Sequence, residues 1–187
     1  MTPTQITVIA IVVFAIVGVA LVLLMRNRTN KLREQFGPEY DRAVQEKGSK
    51  HKAEAELEKL EKRVRKYDLR PLSPTDRDRF QTSWRAIQAK FVDNPDQAVA
   101  EADRLIADVM AARGYPMSDF EQRAAEVSVD HPTVVEHYRA GHQIAVLHSQ
   151  RKATTEDLRQ AMIHYRTLFD ELMQGEAPLR ARAAGRS

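Results

Sequence analysis

The 187-residue chain contains no cysteine. That absence excludes a disulfide framework, a thiolate nucleophile and cysteine-ligated zinc or iron–sulfur sites. Its seven glycines form neither of the phosphate-binding loops G-x-x-x-x-G-K-[ST] and G-x-G-x-x-G. H-E-x-x-H and Glu-x-x-His, the zinc and di-metal motifs of helices, are also missing. The sequence therefore gives no reason to assign a catalytic residue, a metal or a cofactor.

Charged side chains are missing from the first 25 residues, although the whole chain carries 29 Lys/Arg and 26 Asp/Glu for a formal net charge of +3. Residues 6–25 form an apolar run, and 20 helical residues span about 30 Å, the thickness of the hydrocarbon core. A soluble core helix would have a polar face, and a cleaved signal peptide would have a basic start and a shorter apolar segment. We predict a transmembrane helix over residues 6–25, preceded by a short tail over residues 1–5.

The charges beside this span predict its orientation. Only the α-amino group precedes the span, whereas four basic side chains follow it, namely Arg26, Arg28, Lys31 and Arg33. Positive charge is retained on the cytoplasmic side of a membrane. The N-terminus is therefore expected outside and the rest of the chain in the cytoplasm.

Residues 26–70 are predicted to form a charged, helical juxtamembrane connector. Gly37-Pro38 ends the helix that leaves the membrane, and Pro38 suits a first helical turn. A short helix is expected over residues 38–47, stopped by Gly48. A longer helix is expected over residues 49–67.

The longer connector helix has apolar residues at alternating spacings of four and three, which is typical of a coiled-coil seam. These seam residues are Ala53, Leu57, Leu60, Val64 and Tyr67. Fewer than three heptads do not decide between two interpretations. The seam either packs on the protein's own domain or supports self-association through the connector helix.

The connector is basic, with 14 Lys/Arg against 9 Asp/Glu and a net charge of +5. This excess either binds anionic lipid headgroups or is a topology signal combined with a solvated face. Glu alternates with Lys over residues 54–66, which favours the second interpretation. The same alternation, with Tyr67 as the lone aromatic nearby, makes nucleic-acid binding a poor fit.

Residues 71–173 are predicted to form a compact, soluble helical bundle. Capping signals place helix starts near residues 74, 95, 119, 132 and 155, the fourth with Asp130 or His131 at the cap. No strand-like alternation occurs, so the expected fold class is all-α. We expect four main helices and one short helix near residues 119–127, followed by a disordered basic tail over residues 174–187.

Trp84 is the only tryptophan. It lies between Phe80 and Ile87 on a helical face that also includes Phe91. We predict that it is buried against the helix that contains residues 158–172, because exposure would bring three large apolar neighbours into water.

Two loops and the helix after them carry more functional groups than turns require. The sequences Arg113-Gly-Tyr-Pro116 and Val129-Asp-His-Pro132 combine aromatic, imidazole and charged groups. Either the tyrosines pack and Asp130 caps a helix, or the groups form a partner-binding surface. The candidate partner-binding residues are Arg113, Tyr115, Asp130, His131, His137, Tyr138 and Arg139. The spacings of His137, His142 and His148 do not place any two of them on one helical face as i,i+4 metal ligands.

Five strings resemble an uncharacterised family of bacterial single-pass membrane proteins with a helical soluble domain. They are FGPEYDRAV (36–44), FVDNP (91–95), RGYP (113–116), SVDHPTVVEHYR (128–139) and TTEDLRQAM (154–162). The resemblance covers roughly residues 26–173 and implies a bacterial source, and thus the inner membrane. It implies no activity and no site residue.

Two functions remain as hypotheses. The first is a membrane-anchored helical scaffold or interaction module that binds another protein, since the chain combines an anchor and a rigid connector without a catalytic constellation. The alternative is a ligand-binding or enzymatic helical bundle tethered to the membrane, with its site around Tyr138 and His142.

Overall fold

The computed structural model describes the backbone of residues 3–174 and the side chains of residues 13–174. Eight α-helices and no strand occur within that part of the chain, which confirms the predicted all-α class. The helices are α1 (Pro3–Phe36), α2 (Pro38–Lys47), α3 (Lys50–Val64), α4 (Pro74–Asp93), α5 (Pro95–Ala112), α6 (Phe120–Asp130), α7 (Val135–Ser149) and α8 (Thr155–Met173). Of the predicted tail over residues 174–187, only Gln174 falls within the described residues.

The helix α1 is the one described helix that is long and apolar enough to cross a membrane. Its large apolar side chains from Val13 to Met25 are exposed, whereas those of a soluble core helix would be buried. The helix continues without a break past Met25 and ends at Gly37, whose φ of 52° favours glycine. The predicted break at Gly37-Pro38 is therefore confirmed.

The last turns of α1 pack with the two connector helices in a small apolar core, called here the connector core. Its buried members are Leu32, Phe36, Tyr40, Leu57, Leu60, Val64 and Val129, the last contributed by α6. The seam of α3 thus packs within its own chain, as the first of its two interpretations expects. Self-association through the same residues would require them to leave this core.

The larger core lies among α4, α5, α7 and α8, with α6 packed at its side. The predicted burial of Trp84 is confirmed, because this side chain is 5% exposed. Its ring stacks on Phe169 of α8 with centroids 4.9 Å apart and planes 14° from parallel. The backbone of α4 packs most extensively against α5.

Side-chain caps start four of these helices near the predicted positions. The side chains of Ser73, Asn94, Asp119 and Thr154 each accept a hydrogen bond from the backbone N–H three residues later. Such caps satisfy one of the free N–H groups at the start of a helix.

The prediction that Asp130 or His131 caps a helix starting near residue 132 is wrong. Asp130 is the last residue of α6 and His131 follows it, while α7 begins at Val135. The backbone N–H of His131 still donates to Val127 at 2.8 Å, so the α6 hydrogen-bond pattern extends through these residues. The Asp130 carboxylate accepts from the Tyr115 hydroxyl instead of capping α7.

Candidate functional site

The structure brings four of the predicted residues together in one buried polar cluster, formed by Arg113, Tyr115, Asp130 and His131. Arg113 is 2% exposed, and its Nη1 donates to the backbone carbonyl of Leu172 at 2.8 Å. The Tyr115 hydroxyl donates to Asp130 Oδ2 at 3.3 Å. The cluster ties the α5–α6 loop and the end of α6 to the last turn of α8. It braces these elements from inside and offers little surface to a partner.

His131 lies at the edge of this cluster. Its Nδ1 is 3.0 Å from Glu171 Oε1 on α8. Burial lowers the pKa of His131, the neighbouring Glu171 carboxylate opposes that shift, and the positive charge of Arg113 adds to it. The imidazole is therefore favoured in its neutral form near pH 7 and can act as a hydrogen-bond partner inside the fold.

Tyr138 lies in the larger core beside Phe120, with ring centroids 4.7 Å apart in an edge-on arrangement. Burial raises the pKa of Tyr138 to about 12, against the opposing positive charge of Arg123. A phenol of that pKa stays protonated at neutral pH and is a poor general base.

His142 is half-buried and stacks on Phe120 with centroids 3.6 Å apart. Its Nδ1 is 3.5 Å from Asp103 Oδ1, which also accepts a hydrogen bond from Tyr165 at 2.9 Å. Burial tends to raise the pKa of Asp103, but the neighbouring His142 imidazole and the hydrogen bond from Tyr165 outweigh it and lower that pKa. This carboxylate therefore stays charged and links α5 to α7 and α8.

His137 makes a contact that its sequence neighbours do not reveal. Its Nδ1 lies 3.0 Å from Nδ1 of His164 on α8, so one imidazole donates and the other accepts. Burial and the charge of His137 both lower the pKa of His164. Among the residues with described side chains, no group of three or more His, Asp or Glu side chains could hold a metal ion, and this pair has no third ligand.

Arg139 fastens the connector to the rest of the fold. Its guanidinium binds both carboxylate oxygens of Glu39 on α2, at 2.6 and 3.1 Å, and Oε2 of Glu121 on α6 at 2.6 Å. Both Arg139 and Glu39 are largely buried at the side chain, so the pair is weakly screened by water. The predicted site residue thus has a bridging position between α2, α6 and α7.

A groove lies on the larger domain between α4 and α8, and is called here the α4–α8 groove. Its cavity has a volume of about 470 Å³ and is floored by the Trp84–Phe169 stack. Three guanidinium groups line it, from Arg77, Arg85 and Arg166, against the single carboxylate of Asp170. A smaller cavity of about 180 Å³ continues along the same two helices past Phe91 and Ile163.

This groove was not predicted from the sequence, although the sequence contains a signal for it. Polar residues beside the apolar stripe of α4 repeat as Arg77, Gln81, Arg85 and Gln88, at spacings of four and three. Such a stripe is normally a solvated face. Only the packing of α4 beside α8 turns it into one wall of a groove.

Comparisons with protein-family models, with curated proteins and with solved structures find no match for this chain.

Proposed function

We propose that this protein is a single-pass protein of a bacterial inner membrane whose cytoplasmic helical bundle binds another protein through the α4–α8 groove. The observation that carries the proposal is the groove itself. It combines an aromatic floor with three arginines, and Arg is among the residues most enriched at the energetic centres of interfaces.

The charge of the groove specifies the kind of partner. Arg77 and Arg85 have no carboxylate partner among residues 3–174, and Asp170 lies 3.6 Å from Arg166. An acidic amphipathic segment would pair with the free guanidinium groups and cover the apolar floor. Residues 175–187 carry three Arg and one Glu, so the net charge of this segment is positive, like that of the groove.

Support for the anchor comes from the length of α1 and from the four basic residues after the span. Positive charge on one flank favours retention of that flank in the cytoplasm. The bacterial source and the inner membrane rest on the sequence resemblance.

A ligand-binding or enzymatic bundle around Tyr138 and His142 remains the alternative proposal. The enclosure of Tyr138 weighs against it, because a substrate would have no direct route to the phenol.

Site-directed photocrosslinking in cells tests the groove. A photoreactive residue in place of Gln88 lies in the groove, whereas one in place of Gln143 lies on an exposed part of α7 outside it. We expect a discrete crosslinked product from position 88 and not from position 143, and we expect Arg85→Glu combined with Arg166→Glu to abolish it. Equal products at both positions, or none at either, would contradict the proposal.

A further inference from the structure

The helix α3 folds back along α1 toward the membrane boundary. The Thr29 hydroxyl donates to Glu54 near the start of α3 at 2.7 Å, and Arg28 pairs with Glu58 one turn later. Contacts closer to the C-terminus of α3 are made with residues closer to the N-terminus of α1, so the two helices are antiparallel. The C-terminal end of α3 reaches the level of Leu24, which lies inside the predicted span.

A cavity of about 520 Å³ lies between the two helices at this level, and is called here the juxtamembrane cavity. Its lining includes four basic side chains, two from each helix: Arg28, Lys31, Lys62 and Arg65. Glu58 pairs with Arg28 and Glu61 pairs with Arg65. Within the described part of the chain, Lys31 and Lys62 have no carboxylate partner, so the cavity has an excess of two positive charges.

We propose that the juxtamembrane cavity binds the phosphate of an anionic phospholipid headgroup. The ammonium groups of Lys31 and Lys62 and the side-chain amide of Asn27 supply donors for phosphate oxygens. Leu24 and Leu32 supply an apolar wall, and Leu24 continues into the predicted span, where acyl chains would lie.

This inference rests on the proposed membrane anchor. From the sequence, the basic excess was expected to be only a topology signal. Lys62 and Arg65, however, follow the span by some 40 residues in sequence. They lie beside the end of the span only because α3 runs antiparallel to α1. A topology signal requires only the basic residues next to the span, such as Arg28 and Lys31. It does not require Lys62 and Arg65 to line a cavity beside them.

The full-length protein in detergent, analysed by native mass spectrometry, provides the test. Phosphatidylglycerol and phosphatidylcholine with identical acyl chains are titrated separately, and their dissociation constants are compared. The test variant is Lys31→Gln with Lys62→Gln. The matched control is Lys50→Gln with Lys52→Gln, which removes the same charge from two exposed lysines at the opposite end of α3.

We expect the unmodified protein to prefer phosphatidylglycerol by roughly thirtyfold, since each nearby basic residue contributes about fivefold toward an anionic headgroup. The test variant should lose this preference and the control should keep it. Far-UV circular dichroism confirms that both variants are folded.

Three results would overturn the inference: no headgroup preference in the unmodified protein, equal losses in both double variants, or binding of inorganic phosphate as tight as that of phosphatidylglycerol. Extraction of the protein from membranes by alkaline carbonate would overturn the membrane anchor as well. A membrane-retained protein without headgroup preference would contradict only the lipid site.

Discussion

Trp84 is a buried aromatic residue of α4 that packs against α8. Its ring is 5% exposed and stacks on Phe169, so truncation would remove most of the aromatic floor between the two helices. Trp84→Ala should lower the free energy of unfolding by about 3–5 kcal/mol, as buried aromatic truncations do. Chemical denaturation followed by far-UV circular dichroism measures the change. Val92→Ala, at an 82% exposed residue of α4, is the matched control and should change it by less than about 0.5 kcal/mol.

At position 114 both the backbone conformation and a close backbone neighbour require glycine, whereas at position 48 only the backbone conformation does. Both have a positive φ, of 96° and 61°. A Cβ on Gly114 would also lie 2.4 Å from the backbone oxygen of Asp68, whereas one on Gly48 would have no atom within 4 Å. Gly48→Ala should cost about 1–2 kcal/mol of unfolding free energy from the strained φ alone. Gly114→Ala should cost clearly more, and equal costs in denaturation would show that the approach of Asp68 is not rigid.

Two histidines at α8 should make the fold sensitive to acid. His131 contacts Glu171 of α8, and His164 belongs to α8. Burial lowers the folded-state pKa of both His131 and His164, so the unfolded chain binds more protons as the pH falls through the ordinary histidine pKa near 6.5. The stability that the neutral imidazoles contribute is complete above that value and is lost below it. Denaturation at pH 7.5 and 5.5 should show a lower unfolding free energy at pH 5.5. His131→Gln with His164→Gln should reduce that difference, and an unchanged difference would assign the acid sensitivity to other groups.

Between elements, Arg139 is one polar link from the connector to α6 and α7, beside the apolar packing of Val129 in the connector core. Removing its guanidinium would leave the largely buried Glu39 carboxylate with only Arg42, whose Nε lies 3.8 Å away, and losing a close, largely buried ion pair costs more than losing an exposed one. Arg139→Ala should accelerate amide hydrogen exchange in α2 by about tenfold or more. Arg33→Ala breaks the exposed Arg33–Asp41 pair and should leave α2 nearly unchanged. The same exchange rates in both variants would mean that apolar packing alone holds α2.

Helix starts could be predicted where the decisive interaction is local, and failed where it is not. Ser73 and Thr154 cap helices through groups three residues away, so the sequence is sufficient. Asp130 also precedes a predicted helix start, but its carboxylate accepts a hydrogen bond from the Tyr115 hydroxyl of the preceding loop. Arg113 shows the limit most clearly, because its partner is the carbonyl of Leu172, 59 positions away. The α4–α8 groove depends on the spacing between two helices and leaves only an ambiguous polar stripe in the sequence.

For the whole molecule, the continuity of α1 is the central feature. The helix passes from the predicted span into the connector core without a break, and Leu32 is already buried there. Leu32 lies seven positions after Met25 in the same helix, a rise of about 10 Å. With α1 anchored in a membrane as proposed, the folded domain would lie close to the membrane surface, within reach of other membrane proteins and lipid headgroups.

The absence of cysteine allows the anchored, cytoplasmic arrangement to be tested directly. Single-cysteine variants Thr2→Cys and Gln88→Cys are expressed in a bacterial host, and intact spheroplasts are treated with a membrane-impermeant maleimide. We expect position 2 to be labelled in intact spheroplasts and position 88 to be labelled only after lysis. Labelling of position 88 in intact spheroplasts would contradict the cytoplasmic assignment of the domain.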